Sequence, residues 1–268
     1  MAQETILVFD SGLGGLTVYR EIAAARPSAD FVYVADDAAF PYGSMAESAL
    51  VARVVDLTGE LIATHRPDLV VIACNTASTI ALPDLRRKFS LPFVGTVPAI
   101  KPACANSQTR SIAVLGTEAT VQREYTRALI RDYAGDCRVI LVGSNKLAGY
   151  AEAELTGTPV SDAKIAAEIA PCFRDGDGRR VDTVVLACTH YPLIVERLRR
   201  LAPWPVNFVD PAPAIARRVV DLLGPPALPD RSGSTRAVFT SGRIPDAVLA
   251  RFGIHSTHPA PTASAGTA

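Results

Sequence analysis

The chain has no excess of charge of either sign and no long apolar run, and each absence excludes a class of protein. Its 27 Lys and Arg residues balance 27 Asp and Glu residues, so nothing indicates a nucleic-acid or other polyanionic partner. No uninterrupted apolar stretch approaches the length that a membrane-spanning helix needs. No basic segment or secretory apolar region precedes the first predicted strand, which begins at Ile6. We therefore expect a cytoplasmic protein without a membrane partner.

Closely spaced cysteines are also missing. The chain has five Cys, an odd number, and none of them forms a Cys-x-x-Cys pair. This excludes the local zinc and dithiol motifs and favours free thiols in a reducing compartment. Lysine is scarce as well, with only Lys88, Lys101, Lys146 and Lys164. None of the four follows a strand end within a phosphate-cradling motif, so the Schiff-base lysine of a pyridoxal-dependent racemase is not evident.

What the chain does have is one short segment in two similar copies. Asp68–Asn75 and Asp182–Thr189 each place an acid before an apolar run that ends at a Cys followed by a small polar residue. A continuous apolar run of this kind predicts a parallel strand buried on both faces. Cys74 and Cys188 would then lie at the carboxyl ends of strands, where open α/β sheets bind ligands. Two such thiols could face one cleft from opposite sides, as proton removal and return at one carbon would require.

Apolar runs alternate with helical periodicity along most of the chain, which predicts an α/β fold with parallel sheets. The predicted strands are Ile6–Phe9, Phe31–Ala35, Leu69–Ala73, Ile112–Leu115, Val139–Val142, Val184–Ala187, Asn207–Val209 and Ala237–Phe239. Because the pattern recurs in both halves, we predict two similar lobes related by a pseudo-twofold axis, with the active site between them. The first lobe would comprise residues 1–96 and 208–254, the second residues 97–207, and residues 255–268 a disordered tail.

The residues around each Cys favour acid–base chemistry. Two polar residues after Cys74 open a predicted helix, whose positive end favours a thiolate and whose free amides could hold a carboxylate. Asp10 ends the first strand and, because parallel strand ends share one edge, could lie near Cys74. His190 follows Cys188 by two residues and could assist that thiol. A buried inert thiol, an N-capping Asp and a packed His are the structural alternatives.

The glycine-rich segment Gly12–Gly15 has two interpretations. It resembles a dinucleotide-binding loop, for which Asp36 or Asp37 would supply the ribose-binding acid. However, Thr17 replaces the third glycine of that motif, and Asp10 would place a carboxylate beside a pyrophosphate. We therefore favour a loop whose backbone amides approach a small anion.

Taken together, these motifs resemble bacterial glutamate racemase, from the cofactor-independent aspartate/glutamate racemase family. The similar segments are Asp10–Val18, Pro41–Gly43, Cys74–Ala77, Val97–Ile100 and Cys188–Pro192. They run in the family's order from residue 5 to about residue 250. The resemblance implies two α/β lobes that interconvert L- and D-glutamate without a cofactor or metal. The D-glutamate would supply peptidoglycan synthesis.

The resemblance also implies a role for each site residue. Cys74 and Cys188 would be the two bases, Cys74 acting on the D enantiomer and Cys188 on the L enantiomer. Asp10 would assist Cys74, and His190 would assist Cys188. Glu152 aligns with a catalytic glutamate of the family, although the proline that precedes it there is absent here. The substrate's charged groups would be bound by Asp10, Ser11, Tyr42, Gly43, Asn75, Thr76, Thr117, Thr189 and His190.

Several alternatives stay open. Relatives on this scaffold racemise aspartate or hydantoins, and some decarboxylate with a single Cys, which the presence of two argues against. Aspartate differs from glutamate by one methylene and is the harder substrate to exclude. Outside the family, the alternatives are an oxidoreductase with a nucleotide at Gly12–Gly15 and a thiol- or metal-based sensor using Cys74, Cys188 and His190.

The resemblance carries two expectations about assembly and control. Members of the family are often dimeric, so a homodimer is compatible with it. Some members carry an N-terminal extension linked to control by a cell-wall precursor. Since only a few residues precede the first predicted strand here, we do not expect that control.

Overall fold

Two parallel sheets with helices on their faces make up the described part of the chain. The computed structural model describes residues 3–173, 178–225 and 232–259. Its strands are β1 (Thr5–Asp10), β2 (Asp30–Ala35), β3 (Leu69–Ile72), β4 (Phe93–Gly95), β5 (Ser111–Gly116), β6 (Arg138–Gly143), β7 (Thr183–Ala187), β8 (Asn207–Val209), β9 (Thr235–Phe239) and β10 (Ser256–Pro259). Its α-helices are α1 (Leu16–Ala25), α2 (Glu47–His65), α3 (Asn75–Lys88), α4 (Ile100–Asn106), α5 (Glu118–Val121), α6 (Glu124–Tyr133), α7 (Leu147–Leu155), α8 (Asp162–Ile169), α9 (Val195–Leu201), α10 (Ala212–Leu223) and α11 (Asp246–Ala250).

The strand order defines the two lobes. The first sheet runs β10-β9-β2-β1-β3-β4 and the second runs β6-β5-β7-β8. Every neighbouring pair is parallel. This confirms the predicted α/β class with two lobes of parallel strands. Over the described ranges, no helix combines the length and the apolar character that a membrane span requires.

The central strands are apolar along their whole length because helices cover both of their faces. In β1, Ile6 and Val8 pack into one apolar cluster while Leu7 and Phe9 pack into another. All four side chains are fully buried. Since successive side chains point to opposite faces, a sheet covered on both sides needs apolar residues at every position. The same requirement produces the apolar runs of β3 and β7, which lead to the two cysteines.

All eight predicted strands occur, and the structure adds β4 and β10. β4 has only three residues and follows Pro92, so its apolar run is too short to indicate a strand. β10 pairs in parallel with β9. The sequence predicts a disordered tail over residues 255–268, but the structure places Ser256–Pro259 in the first sheet. The rest of that predicted tail, residues 260–268, lies outside the described residues.

The chain crosses to the second lobe and then returns to the first. β8 pairs with β7 in the second sheet, whereas α10, the next helix, packs against α1 and β4 of the first lobe. The return therefore falls between Val209 and Ala212, close to the predicted limit after residue 207. The lobe limits themselves, 1–96 with 208–254 and 97–207, stay a prediction.

The carboxyl ends of the two sheets face each other. Asp10 is the last residue of β1, and the Thr189 hydroxyl, just beyond β7, donates to its Oδ1 at 3.1 Å. On the other side, the hydroxyls of Thr76 and Thr117 lie 3.1 Å apart, one from each lobe. Residues at strand ends in one lobe therefore meet residues at strand ends in the other.

Candidate active site

A small cavity lies where the two sets of strand ends meet. The lining residues are Ser11, Phe40, Pro41, Tyr42, Gly43, Cys74, Asn75, Thr76, Thr117, Ala148, Cys188, Thr189 and His190. They include every predicted site residue except Asp10 and Glu152, which lie behind the lining and contact it. The cavity volume is about 20 Å³, enough for one water molecule. An amino acid can enter only if the lobes or the lining side chains move apart.

Cys74 lies at the start of α3, in the first lobe. Its thiol donates to the Ser11 hydroxyl, with the sulfur and oxygen 3.6 Å apart. Burial, and then the charge of Asp10, raise the pKa of Cys74 to about 12. The amide of Ala77 in the first turn of α3 acts in the opposite direction but is outweighed. The helix end therefore favours a Cys74 thiolate as the sequence predicts, but burial outweighs this effect in the closed site, because a thiolate there loses its hydration.

Cys188 directly follows β7, in the second lobe, and its neighbour is a histidine. The Cys188 sulfur lies 3.9 Å from Nδ1 of His190, and Nε2 of the same ring lies 2.6 Å from Oε2 of Glu152. Burial alone would lower the pKa of His190. The hydrogen bonds with Cys188 and Glu152 outweigh it, and the pKa of His190 lies well above its ordinary value. The contacts with Cys188 and Glu152 therefore favour the protonated form of His190 next to the sulfur.

Glu152 reaches His190 from a neighbouring helix, α7. The resemblance aligns this residue with a catalytic glutamate of the family, although the family's proline is missing. In the structure its side chain is 19% exposed and its carboxylate points at the imidazole. The altered segment still forms a helix, so the missing proline does not displace the carboxylate from His190.

The glycine loop, residues 12–15, connects the two halves of the site. The amide of Gly12 donates to Oδ2 of Asp10 at 3.1 Å, and the amide of Leu13 donates to Oε2 of Glu152 at 3.3 Å. The amide of Gly14 contacts Nε2 of His190 at 3.2 Å. The sequence predicts that these amides approach a small anion. In the structure their partners are side chains of the protein itself.

Asp10 lies behind the cavity lining and interacts with both halves of the site. It is fully buried, and burial raises its pKa, whereas the positive charge of His190, the amides of the glycine loop and the Thr189 hydroxyl favour its charged form. Its own charge in turn raises the pKa of Cys74. Asp10 is therefore placed to influence Cys74 while bonded to residues that adjoin Cys188.

Asn75 has a side chain without a protein partner. The residue is buried, and neither Oδ1 nor Nδ2 of its amide makes a hydrogen bond. A buried polar group without a partner is costly, so such groups in native proteins generally have a reason. Asn75 lines the cavity, at the first turn of α3. Its free donor and acceptor are available to a substrate.

Hydroxyls close the opposite side of the cavity. Thr76, Thr117 and Thr120 form a triangle in which each pair of hydroxyl oxygens lies within 3.3 Å. Sequence reasoning missed Thr120, which is buried on α5 behind Thr117. Its position three residues after Thr117 at a helix start was the signal, since the Thr120 amide donates to the Thr117 hydroxyl as in a helix cap.

Tyr42 lines the cavity with its hydroxyl already engaged. The hydroxyl donates to Oδ2 of Asp36, and the Arg53 guanidinium holds both oxygens of the same carboxylate at 2.6 Å. The dinucleotide interpretation would use Asp36 or Asp37 to bind a ribose. The structure instead makes Asp36 a fully buried partner of Arg53, Tyr42 and Thr240. This ion pair fixes the Tyr42 side of the cavity.

Among the residues that the structure describes, no group of three or more His, Cys, Asp and Glu side chains is arranged to hold a metal ion.

Comparison with known proteins gives a consistent set of relatives. Residues 6–219 match the family model described as Asp/Glu/Hydantoin racemase. The glutamate racemase of Brucella canis is 54% identical over 255 residues, which is 93% of this chain and 91% of the relative. The crystal structure of Escherichia coli glutamate racemase in complex with L-glutamate and the activator UDP-MurNAc-Ala superposes with a TM-score of 0.88 at 39% identity, covering 97% of this chain and 98% of that one. A Bacillus anthracis glutamate racemase isoform superposes with a TM-score of 0.82 at 26% identity, over 97% and 98% of the two chains.

Proposed function

This chain belongs to the Asp/Glu/hydantoin racemase family, and we propose that it interconverts L- and D-glutamate by proton transfer between Cα and two cysteines. It is an amino-acid racemase, as its similarity to glutamate racemases over nearly the whole chain shows. One observation carries the two-cysteine mechanism. Cys74 and Cys188, each at a strand end in a different lobe, line the same cavity.

In the proposed reaction, one sulfur removes the α-proton and the other returns a proton to the opposite face. With L-glutamate, Cys188 takes the proton and Cys74 gives one, which yields D-glutamate. With D-glutamate the roles are reversed. The planar carbanion formed between these steps needs no cofactor if its charge spreads into a carboxylate that is held by fixed donors.

The unpartnered amide of Asn75 supports binding of that carboxylate at the first turn of α3. The helix start also offers free backbone amides and the positive end of the peptide dipoles. Ser11, Thr76, Thr117 and the other lining residues supply further donors around the same space. These groups are buried and already in position, so they lose little freedom as charge develops on the substrate.

We propose Asp10 and His190 as the acid–base partners of the two sulfurs. The imidazolium of His190 offers positive charge to Cys188, and Glu152 holds the imidazole from its other nitrogen. Asp10 can exchange a proton with the Cys74 side, because burial raises its pKa above the ordinary value and so makes its protonated form more accessible. Each sulfur would therefore alternate between thiolate and thiol during one catalytic cycle.

The cellular role is also a proposal. The relatives named above are glutamate racemases. Enzymes of the family that the motifs resemble make D-glutamate for peptidoglycan synthesis. We propose that this enzyme supplies it in the cytoplasm, and that the enzyme forms a homodimer, as members of that family often do.

The function is tested by polarimetry of the purified protein with no added cofactor. Circular dichroism of an L-glutamate solution should decay to zero, and L-aspartate should lose its signal far more slowly. Racemisation of aspartate at the same rate would show instead that the enzyme accepts both acidic amino acids. No decay with either amino acid would contradict the proposal.

A further inference from the structure

Tyr33 lies behind the glycine loop and contacts it directly. It belongs to β2, is fully buried, and its hydroxyl donates to the carbonyl oxygen of Gly12 at 2.6 Å. Burial, and then the nearby charges of Asp10 and Glu152, raise the pKa of Tyr33 well above its ordinary value. The hydroxyl therefore keeps its proton throughout the range in which the enzyme works and remains a donor to the loop.

The glycine loop has little freedom to move without disturbing the acid–base groups. A Cβ added at Gly12 would lie 2.6 Å from Oε2 of Glu152, and one added at Gly14 would lie 2.5 Å from Nδ1 of His190. The backbone thus approaches both side chains more closely than any residue with a Cβ could. A displacement of the loop by a few tenths of an ångström would lengthen or break its amide contacts with these groups.

We propose that Tyr33 is a positioning residue for racemisation, which holds the glycine loop where its amides orient Asp10 and Glu152 and, through Glu152, the imidazole of His190. This inference rests on the proposed racemase function. Tyr33 and the glycine loop contribute no residue to the lining of the cavity between the two cysteines. Loss of the Tyr33 hydroxyl should therefore slow proton transfer while leaving substrate binding nearly unchanged.

Tyr19 provides a matched control for this role. Its ring packs edge-on against that of Tyr33, with centroids 6.3 Å apart, in the same apolar cluster. Its hydroxyl also makes one hydrogen bond, to the Thr235 hydroxyl at 2.8 Å, but that partner is on β9 rather than in the glycine loop. Tyr19→Phe therefore removes the same atom and one hydrogen bond from the same core.

The experiment compares kcat and KM for glutamate in the wild type, Tyr33→Phe and Tyr19→Phe, with the native fraction of each measured by circular dichroism. We expect Tyr33→Phe to lower kcat about tenfold and change KM less than about twofold, as loss of one buried hydrogen bond at the acid–base groups would. Tyr19→Phe should change kcat and KM less than about twofold. An unchanged kcat in Tyr33→Phe, an equal loss in Tyr19→Phe, or a change confined to KM would overturn the inference.

A double-mutant cycle keeps the test decisive if Tyr33→Phe also lowers stability. Tyr33→Phe acts on Glu152 through the loop, so its effect on kcat should shrink when Glu152→Gln is already present. Independent, multiplicative losses in the double variant would contradict the positioning role. Failure of the wild type to racemise glutamate would instead refute the proposed function.

Discussion

The two cysteines occupy matching places in the two lobes but have different neighbours. Cys74 follows β3 and adjoins the Ser11 hydroxyl and the charge of Asp10, which together with burial leaves its pKa at about 12. Cys188 follows β7 and adjoins the His190–Glu152 pair. The repeated backbone therefore places two sulfurs symmetrically, while the side chains around them give each a different source of protons.

This difference indicates how a repeated fold can carry an asymmetric reaction. L- and D-glutamate are mirror images with equal free energy, but the protein that binds them is not symmetric. In the proposed mechanism, each sulfur would therefore need its own acid–base partner, adapted to the chirality of the substrate that it deprotonates. Substitutions can test whether both sulfurs are equally necessary and whether Asp10 and His190 act on different sulfurs.

The largest effect is expected when either sulfur is removed. Cys74→Ser and Cys188→Ser should each lower the rate of racemisation about 10³-fold or more, because a serine hydroxyl is a far weaker acid than a thiol and is hardly ionised near neutral pH. Thermal unfolding should show that both variants remain folded. Polarimetry of each variant with L- and with D-glutamate measures the loss, and full turnover by either variant would refute the two-base mechanism.

The next largest effect is expected at the two acid–base partners, Asp10 and His190. Asp10→Asn and His190→Asn should each lower kcat about tenfold to a hundredfold. The ratio kcat/KM must stay equal in the two directions, because the two enantiomers have equal free energy. A difference between the two directions should therefore appear in the kinetic isotope effect of Cα-deuterated substrate. For Asp10→Asn this isotope effect should rise mainly with D-glutamate, and for His190→Asn mainly with L-glutamate.

An equal rise in both directions for each variant would show that Asp10 and His190 serve both sulfurs. That result would make the hydrogen bond between Thr189 and Asp10, which joins the halves, the more important feature of the site.

Glu152→Gln should have an intermediate effect on the Cys188 half. The carboxylate of Glu152 is one of the groups that raise the pKa of His190, so its removal should lower that pKa towards the ordinary value. We expect kcat to fall about tenfold at neutral pH and the alkaline limb of the pH profile to move to lower pH. A pH–rate profile of the variant checks this, and an unshifted alkaline limb would show that Glu152 does not act through His190.

A smaller effect is expected at the residues that directly follow each Cys. The Asn75 amide is buried without partners, whereas the Thr189 hydroxyl is already bonded to Asp10. Asn75→Leu should raise KM for glutamate about tenfold and increase the free energy of unfolding by about 1 kcal/mol, because it removes an unsatisfied polar group. Thr189→Val should lower stability instead. Urea denaturation of the unliganded variants measures both changes, and destabilisation by Asn75→Leu would indicate that the amide has a partner in the empty site.

The fold and the sulfurs of this site were readable from sequence because their signals are local. A buried parallel strand is apolar at consecutive positions, so the end of an apolar run identifies the residue at the end of the strand. This signal located Cys74, Cys188 and Asp10. The pairing of His190 with Glu152 joins residues 38 positions apart on separate elements, and no periodicity reports it. The family resemblance assigned Glu152 a catalytic role, but the pairing itself was not predicted.

The ionisation states of the site residues could not be predicted from local sequence in the same way. The helix start after Cys74 is a local feature and indicates a thiolate, but burial between the lobes dominates and raises the pKa. Burial depends on how the second lobe packs against the first, which the sequence does not display. The same holds for Asp36, whose pairing with Arg53 replaces the ribose contact that the sequence allows.

The most direct test of two opposed sulfurs is racemisation of L-glutamate in heavy water at early conversion. If one sulfur removes the proton and the other delivers a solvent-derived deuteron, each D-glutamate formed carries deuterium at Cα, while the remaining L-glutamate is still protiated. Mass spectrometry after separation of the enantiomers measures both. D-glutamate that retains protium, or L-glutamate that gains deuterium as fast as product forms, would show that a single base serves both faces.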